Sequence, residues 1–170
     1  MKEDFVTWHV DQWEREIPGF DRRVEGIAVR LQSLGQYLDR SRDAVLAKYD
    51  MQWWEFKTLH LLRRNGTPYQ ATPGELAKHL SMSPAALTNR LDALERRKYV
   101  ERHHDRDDRR KVLARLTPAG LDIWQRGIGD IQDVEQSLVR ALPESDQEQL
   151  ETLLSALLRA TEGMKESSCD

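Results

Sequence analysis

The chain has 170 residues, 39% of them hydrophobic and 32% charged, with a formal net charge of -3. That length fits one domain with helical extensions and apolar content enough for a core, and the charge excludes a uniformly basic nucleic-acid coat. No apolar run approaches ~20 residues, the N-terminus has no signal-peptide core, and the single Cys169 has no disulfide partner, so a reducing cytoplasmic location away from membranes is expected.

Residues Met1 to Glu16 carry Phe5, Val6, Trp8, Val10 and Trp13 and predict a helix, broken by Ile17-Pro18-Gly19. Asp21 to Leu46 predicts one long helix in which Val24, Ile27, Ala28, Leu31, Leu34 and Leu38 recur at threes and fours. Met51 to Arg64 predicts a third helix that stops at Asn65-Gly66. Trp53, Trp54, Phe56, Leu59, Leu61 and Leu62 make it apolar nearly all round, as suits a helix buried between two layers.

Thr72-Pro73-Gly74-Glu75 reads as a capped helix start: Thr72 caps, Pro73 suits the first turn, and Glu75 completes a capping box. Leu76, Ala77 and Leu80 point inward, and Ser81-Met82 makes a turn. Ser83-Pro84 starts another helix, with Leu87, Leu91 and Leu94 forming one buried stripe. Ser83, Ala85, Ala86, Thr88, Asn89 and Arg90 are left for other faces, small or hydrogen-bonding, as suits a helix whose N-terminal half enters a major groove.

Tyr99 to Arg102 and Lys111 to Leu116 predict two strands, joined by the polar tip His103 to Arg110. Its arginines alternate with aspartates, and ion pairing between them would hold the guanidiniums in place. An arginine on such a tip has the size and charge for a narrow minor groove. Thr72 to Thr117 contains eleven Lys and Arg against seven Asp and Glu, a net +4, which leaves -7 for the rest. A basic centre between acidic ends fits a local DNA surface, although a solvated, salt-bridged helix and loop would carry the same charges.

Thr117-Pro118 opens a helix running to about Arg140, weakened at Gly127 and Gly129, and Leu142-Pro143 interrupts it. The last helix, about Glu144 to Met164, carries Leu150, Leu153, Leu154, Leu157 and Leu158. The fold class is therefore mainly α with a small β-hairpin, a winged helix-turn-helix with terminal helices. Its expected divisions are residues 1–48, 49–117 and 118–170. A three-helix winged domain cannot cover the terminal stripes alone. A second copy of the chain is the expected partner, with an intramolecular bundle as the alternative.

The segment resembles the DNA-binding domain of the MarR family of bacterial transcriptional regulators. The resemblance rests on Glu75-Leu76-Ala77, Leu87-Thr88-Asn89-Arg90-Leu91 with Leu94-Glu95, Asp108-Arg109-Arg110 and Leu116-Thr117-Pro118-Ala119-Gly120, in that order, and extends over nearly the whole chain. It implies double-stranded DNA as partner, a homodimer built from interlocking terminal helices, and a minor-groove role for Arg110, with Arg109 and Arg106 beside it.

The stretch Trp13 to Pro18 with Asp21, and Trp54-Glu55-Phe56, are similar to the urate-responsive, PecS-like branch, which has the extra N-terminal helix. That resemblance implies an effector pocket between the dimer helices and the DNA-binding lobe. It places ligand roles on Trp13, Arg90 and Arg102, and the fourth position, an aspartate in the branch, is Lys57 here. The reversed charge favours a carboxylate-bearing or otherwise anionic effector over urate, or no small effector. The alternative is that Trp13 packs as core, Lys57 is solvated and Arg102 pairs with an acid.

No phosphate loop, zinc spacing or catalytic constellation stands out, so no enzyme, cofactor or metal site is expected. His103-His104 reads as a solvated loop feature. The reading is a ligand-responsive, DNA-binding repressor, and the rival is a helical protein-interaction module without specific DNA binding.

Overall fold

The computed structural model of the protein describes residues 4–105 and 108–166, the last four as backbone alone. Arg106, expected at the DNA interface, and Cys169 lie outside the described residues. The elements are α1 (Phe5–Glu16), α2 (Arg22–Ala47), α3 (Trp53–Arg64), β1 (Gln70–Ala71), α4 (Pro73–Leu80), α5 (Pro84–Arg96), β2 (Val100–His104), β3 (Val112–Leu116), α6 (Pro118–Val139) and α7 (Glu144–Glu166). The chain forms two compact units, Met1–Gly129 and Asp130–Asp170, so the boundary falls within α6.

The first unit is built on the stripes read above. Leu46, Phe56, Leu59, Leu62, Leu76, Leu87, Leu91, Leu94 and Val100 form its buried centre. The α4 cap is a capping box: Thr72 N–H donates to Glu75 Oε2 at 2.8 Å and Glu75 N–H to Thr72 Oγ1 at 3.2 Å. The Thr72 N–H first, and second the Thr72 hydroxyl, which donates to Glu75 Oε2 at 2.9 Å, pull the Glu75 carboxyl below its ordinary pKa. On α3, Phe56, Leu59 and Leu62 are buried, whereas Trp53, Lys57 and His60 are exposed, so α3 is covered on fewer sides than its composition suggests. Trp53 is capped instead by Arg42, whose guanidinium lies 4.1 Å from the ring centroid.

The sheet has three antiparallel strands in the order β1-β3-β2. β1 is absent from the sequence reading: two residues show no alternation, and they are a strand because β3 offers them an edge. β2 also runs further than expected, since His103 pairs with Leu113 and His104 with Val112. Backbone pairing is indifferent to side-chain polarity, so the strand persists until Asp105 starts the turn.

Two glycines set how closely α6 lies against the rest of this unit. A Cβ on Gly120 would overlap the carbonyl oxygen of Tyr99 and stand 2.9 Å from its carbon. A Cβ on Gly127 would sit 3.0 Å from Phe56 Cε2. Gly127, a weak point in the sequence reading, is thus where α6 accommodates the Phe56 ring. Nearby, Trp124 donates from Nε1 to His60 Nδ1 at 3.4 Å. Partial desolvation of the ring where it meets Trp124 and Phe56, and secondarily the charge of Arg64, lower the His60 imidazole below its ordinary pKa and favour the neutral form that can accept.

The stripe of α2 has a different fate from that of α5. Leu87, Leu91 and Leu94 are fully buried, but Val24, Ile27, Leu31, Leu34 and Leu38, at equally regular spacing, are exposed, Val24 at 61%. In the second unit, Leu150, Leu153, Leu154, Leu157 and Leu158 of α7 are exposed too, Leu158 at 62%. Exposed apolar faces of this size are uncommon on a soluble monomer.

Candidate nucleic-acid interface

Helix α5 is capped by Ser83, whose hydroxyl oxygen accepts from Ala86 N–H at 3.2 Å, with Pro84 at its first position. Burying Leu87, Leu91 and Leu94 turns Ala85, Thr88, Asn89 and Asp92 to the opposite side by helical geometry. Ala85, Thr88 and Asn89 are exposed, while Ala86 is half-buried. Thr88 donates its hydroxyl to Pro84 O at 3.0 Å. Arg90 does not share this face; its guanidinium stands 5.1 Å from the Trp54 ring, on the first turn of α3.

Arg102, on β2, holds α5 from the hairpin side. Its Nη1 donates to Asp92 Oδ1 at 2.6 Å and lies 3.1 Å from Glu95 Oε2, and its Nη2 donates to Thr88 O at 3.1 Å. Its backbone N–H donates to Glu95 Oε1 at 2.9 Å. The acids on this side of α5 are thereby neutralised, which removes the repulsion they would present to a polyanion.

A second clamp holds the C-terminal end of α5. Arg97 Nη1 donates to Glu55 Oε1 at 3.0 Å and Oε2 at 3.2 Å, and Nη2 reaches Tyr99 Oη at 3.4 Å and Asp50 Oδ2 at 3.6 Å. Glu55 is only 4% exposed, and its other bond, from Gln52 N–H at 2.9 Å, caps α3. The first turn of α3 thus touches α5 twice, through Trp54–Arg90 and Glu55–Arg97. Sequence reasoning missed this pair; its one signal was an acid inside the apolar stretch Trp53 to Phe56.

At the hairpin tip Asp105 and Asp108 brace the backbone. Asp105 carboxylate accepts from Asp108 N–H at 2.9 Å, and Asp108 carboxylate from Arg110 N–H at 3.1 Å. Lys111 N–H donates to Asp108 O at 2.8 Å and Asp105 N–H to Lys111 O at 2.9 Å. His104 Nδ1 lies 2.9 Å from Arg109 O; a carbonyl only accepts, so Nδ1 carries the proton. Asp residues favour such turns through side-chain to backbone bonds. Arg109 and Arg110 are exposed, and neither is paired with a carboxylate among the described residues.

The four residues assigned to an effector stand apart in their contacts. Trp13 is exposed on α1 and makes an edge contact with the His9 ring at 6.2 Å. Lys57 is exposed on α3 without an ion pair among the described residues. Arg90 lies on Trp54, and Arg102 is engaged by Thr88, Asp92 and Glu95.

Comparison with known proteins places this arrangement. The sequence pattern of the MarR family matches residues 51–112, which run from just before α3 to the start of β3. The transcriptional regulator PecS of Dickeya dadantii is 31% identical over 145 residues, covering 85% of this chain and 87% of PecS. The chain belongs to the MarR family. The multiple antibiotic resistance protein MarR of Salmonella typhimurium is 35% identical over 126 residues, 74% of this chain and 85% of that protein. Among solved structures, a MarR variant from E. coli complexed with operator DNA superposes with a TM-score of 0.62 at 31% identity, covering 80% of this chain and 96% of MarR. YusO from Bacillus subtilis shares the fold, with a TM-score of 0.71 at 22% identity over 84% of this chain and 99% of YusO. The expected resemblance to the PecS-like branch agrees with the PecS match. As a MarR-family member with a winged helix-turn-helix, the chain is placed among transcriptional regulators, and the interaction-module alternative is not favoured. Among the described residues, no helix is long and apolar enough to cross a membrane.

Proposed function

We propose that the protein is a sequence-specific, double-stranded-DNA-binding repressor that acts as a homodimer on a pseudo-palindromic operator. The observation that carries this reading is an α5 held by Arg102 and Arg97, with a neutral, exposed N-terminal face, beside a hairpin tip whose Arg109 and Arg110 have no carboxylate partner among the described residues. Helix α5 enters a major groove through Ser83, Ala85, Ala86, Thr88 and Asn89, and the tip reaches the adjacent minor groove and phosphates through Arg109 and Arg110. By its place in the sequence Arg106 joins them. Residues 49–117 hold the DNA-binding elements, and residues 1–48 and 118–170 form the dimer. The exposed stripes of α2 and α7 support that assignment, since each leaves an apolar face without cover. Two recognition helices about 34–36 Å apart then meet successive major grooves.

Repression is released by a small anion. Because Arg102 joins β2 to α5, an anion that draws its guanidinium from Asp92 and Glu95 loosens the recognition helix and re-exposes two acids beside the DNA. Arg90 and Lys57 supply further positive charge, and Trp13 an apolar wall. Calorimetry with a panel of anionic metabolites is expected to find at least one that binds below millimolar and weakens DNA binding. Heat signals absent across the panel would remove the ligand-responsive part of the proposal.

The wing assignment is tested by Arg110→Ala. Fluorescence anisotropy with an operator duplex is expected to show a loss of about 1–3 kcal/mol per half-site and a shallower salt dependence. Wild-type affinity and salt slope in that variant would refute the role of the tip.

A further inference from the structure

We propose that α5 reads adenine–thymine base pairs, with Asn89 identifying the adenine. The inference rests on the DNA-reading function above and assigns it a substrate sequence. Of the residues that face away from the buried stripe, Ala85, Thr88, Asn89 and Asp92 lie in the first three turns of α5, and each is restricted in what it offers a base edge.

Asn89 is exposed, and its amide has no partner among the described residues. A carboxamide presents a donor and an acceptor side by side, which matches the N6 amino group and N7 of adenine. Ala85 and Thr88, also exposed, flank it one turn back and one residue back. They offer methyl groups, which suit the C5 methyl of thymine. The Thr88 hydroxyl proton is already committed to Pro84 O, and the Ser83 oxygen to the Ala86 N–H.

The other two bases lack a reader. Guanine is recognised chiefly by a bidentate Arg or Lys. The N-terminal half of α5, Pro84 to Asn89, contains neither, Arg90 lies on Trp54, and Arg97 is bound to Glu55. Arg96 is exposed but stands two turns beyond Asn89. Cytosine N4 is read by a carboxylate, and the one carboxylate on this face, Asp92, is held by Arg102 at 2.6 Å.

The test uses the duplex that the wild-type protein enriches from a random library, rebuilt with 7-deazaadenine at one adenine at a time. One adenine per half-site is expected to lose about 5–150-fold in affinity when its N7 is removed. Replacing a neighbouring thymine by deoxyuridine, which removes only the methyl, is expected to weaken binding several-fold. Asn89→Ala, folded by circular dichroism, is expected to be indifferent to the deaza substitution, and Asn89→Arg to shift the enriched base there from adenine to guanine. A wild-type protein insensitive to every deaza substitution, or an Asn89→Ala protein that keeps the wild-type sensitivity, would overturn the inference while leaving sequence-specific binding intact. Failure of the wild-type protein to enrich any sequence would overturn both the inference and the function on which it rests.

Discussion

Arg97→Ala is expected to destabilise the protein by about 3 kcal/mol, measured as a fall in denaturation midpoint at unchanged m-value. The variant leaves Glu55 buried at 4% exposure without its cation. Rotation into water is opposed because Glu55 also caps α3 through Gln52. Breaking a buried pair from one side typically costs 3–5 kcal/mol, and the lower end applies because Arg97 itself keeps some contact with water. Removing both charges in Glu55→Gln with Arg97→Leu is expected to be milder than the sum of the single changes, since no buried charge is then stranded. The consequence reaches function. Arg97 fastens the end of α5 to the first turn of α3, so Arg97→Ala is expected to lose DNA affinity even at temperatures where it remains folded. An Arg97→Ala protein with wild-type midpoint and affinity would show that the pair neither stabilises the fold nor positions α5.

Gly120→Ala is expected to be at least as damaging, about 3 kcal/mol or more. Overpacking usually costs about 1–3 kcal/mol because side chains can give way. Here the new methyl would meet the backbone of Tyr99, at the turn between α5 and β2, and backbone cannot rotate aside. Thr117 ties the same two segments together: it donates from Oγ1 to Lys98 O at 2.6 Å and accepts from Gly120 N–H at 3.0 Å. Separating α6 from Tyr99 would break the Thr117–Lys98 bond and the bond from Thr117 N–H to Tyr99 O at 3.1 Å. Gly129→Ala, in the same helix but with nothing within 4 Å of its would-be Cβ, is the control. Helix propensity predicts that it stabilises by roughly 0.5–1 kcal/mol. Thermal melts of the two variants should therefore shift in opposite directions, and a common direction would contradict the close approach at Gly120.

These two variants mark the border of what local sequence conveys. The α5 stripe was legible because Leu87, Leu91 and Leu94 repeat at helical spacing and are all buried. The Thr72 and Ser83 starts were legible because capping is a local interaction. The Glu55–Arg97 pair joins residues 42 apart, and no local pattern announces which acid a distant arginine will meet. The α2 stripe carries a different lesson. Its period resembles that of α5, yet its residues are exposed, because period shows that a face is apolar and not what covers it. At the wing tip the residue types were legible as a polar turn, but not that Asp105 and Asp108 would brace its backbone. Asp105 and Asp108 bond backbone N–H groups, which compete with guanidiniums for the same carboxylate oxygens. Arg90 was legible as a candidate, whereas its seat on Trp54 depends on how α3 and α5 cross.

The most direct test of sequence-specific regulation by a dimer is selection from a random duplex library, with the bound species weighed in solution and titrated at two salt concentrations. The expected result is an inverted repeat whose half-sites lie one helical turn apart, about 10–10.5 base pairs centre to centre, bound by two chains with affinity that falls steeply as salt rises. Enrichment of no sequence, or binding that ignores salt, would contradict it.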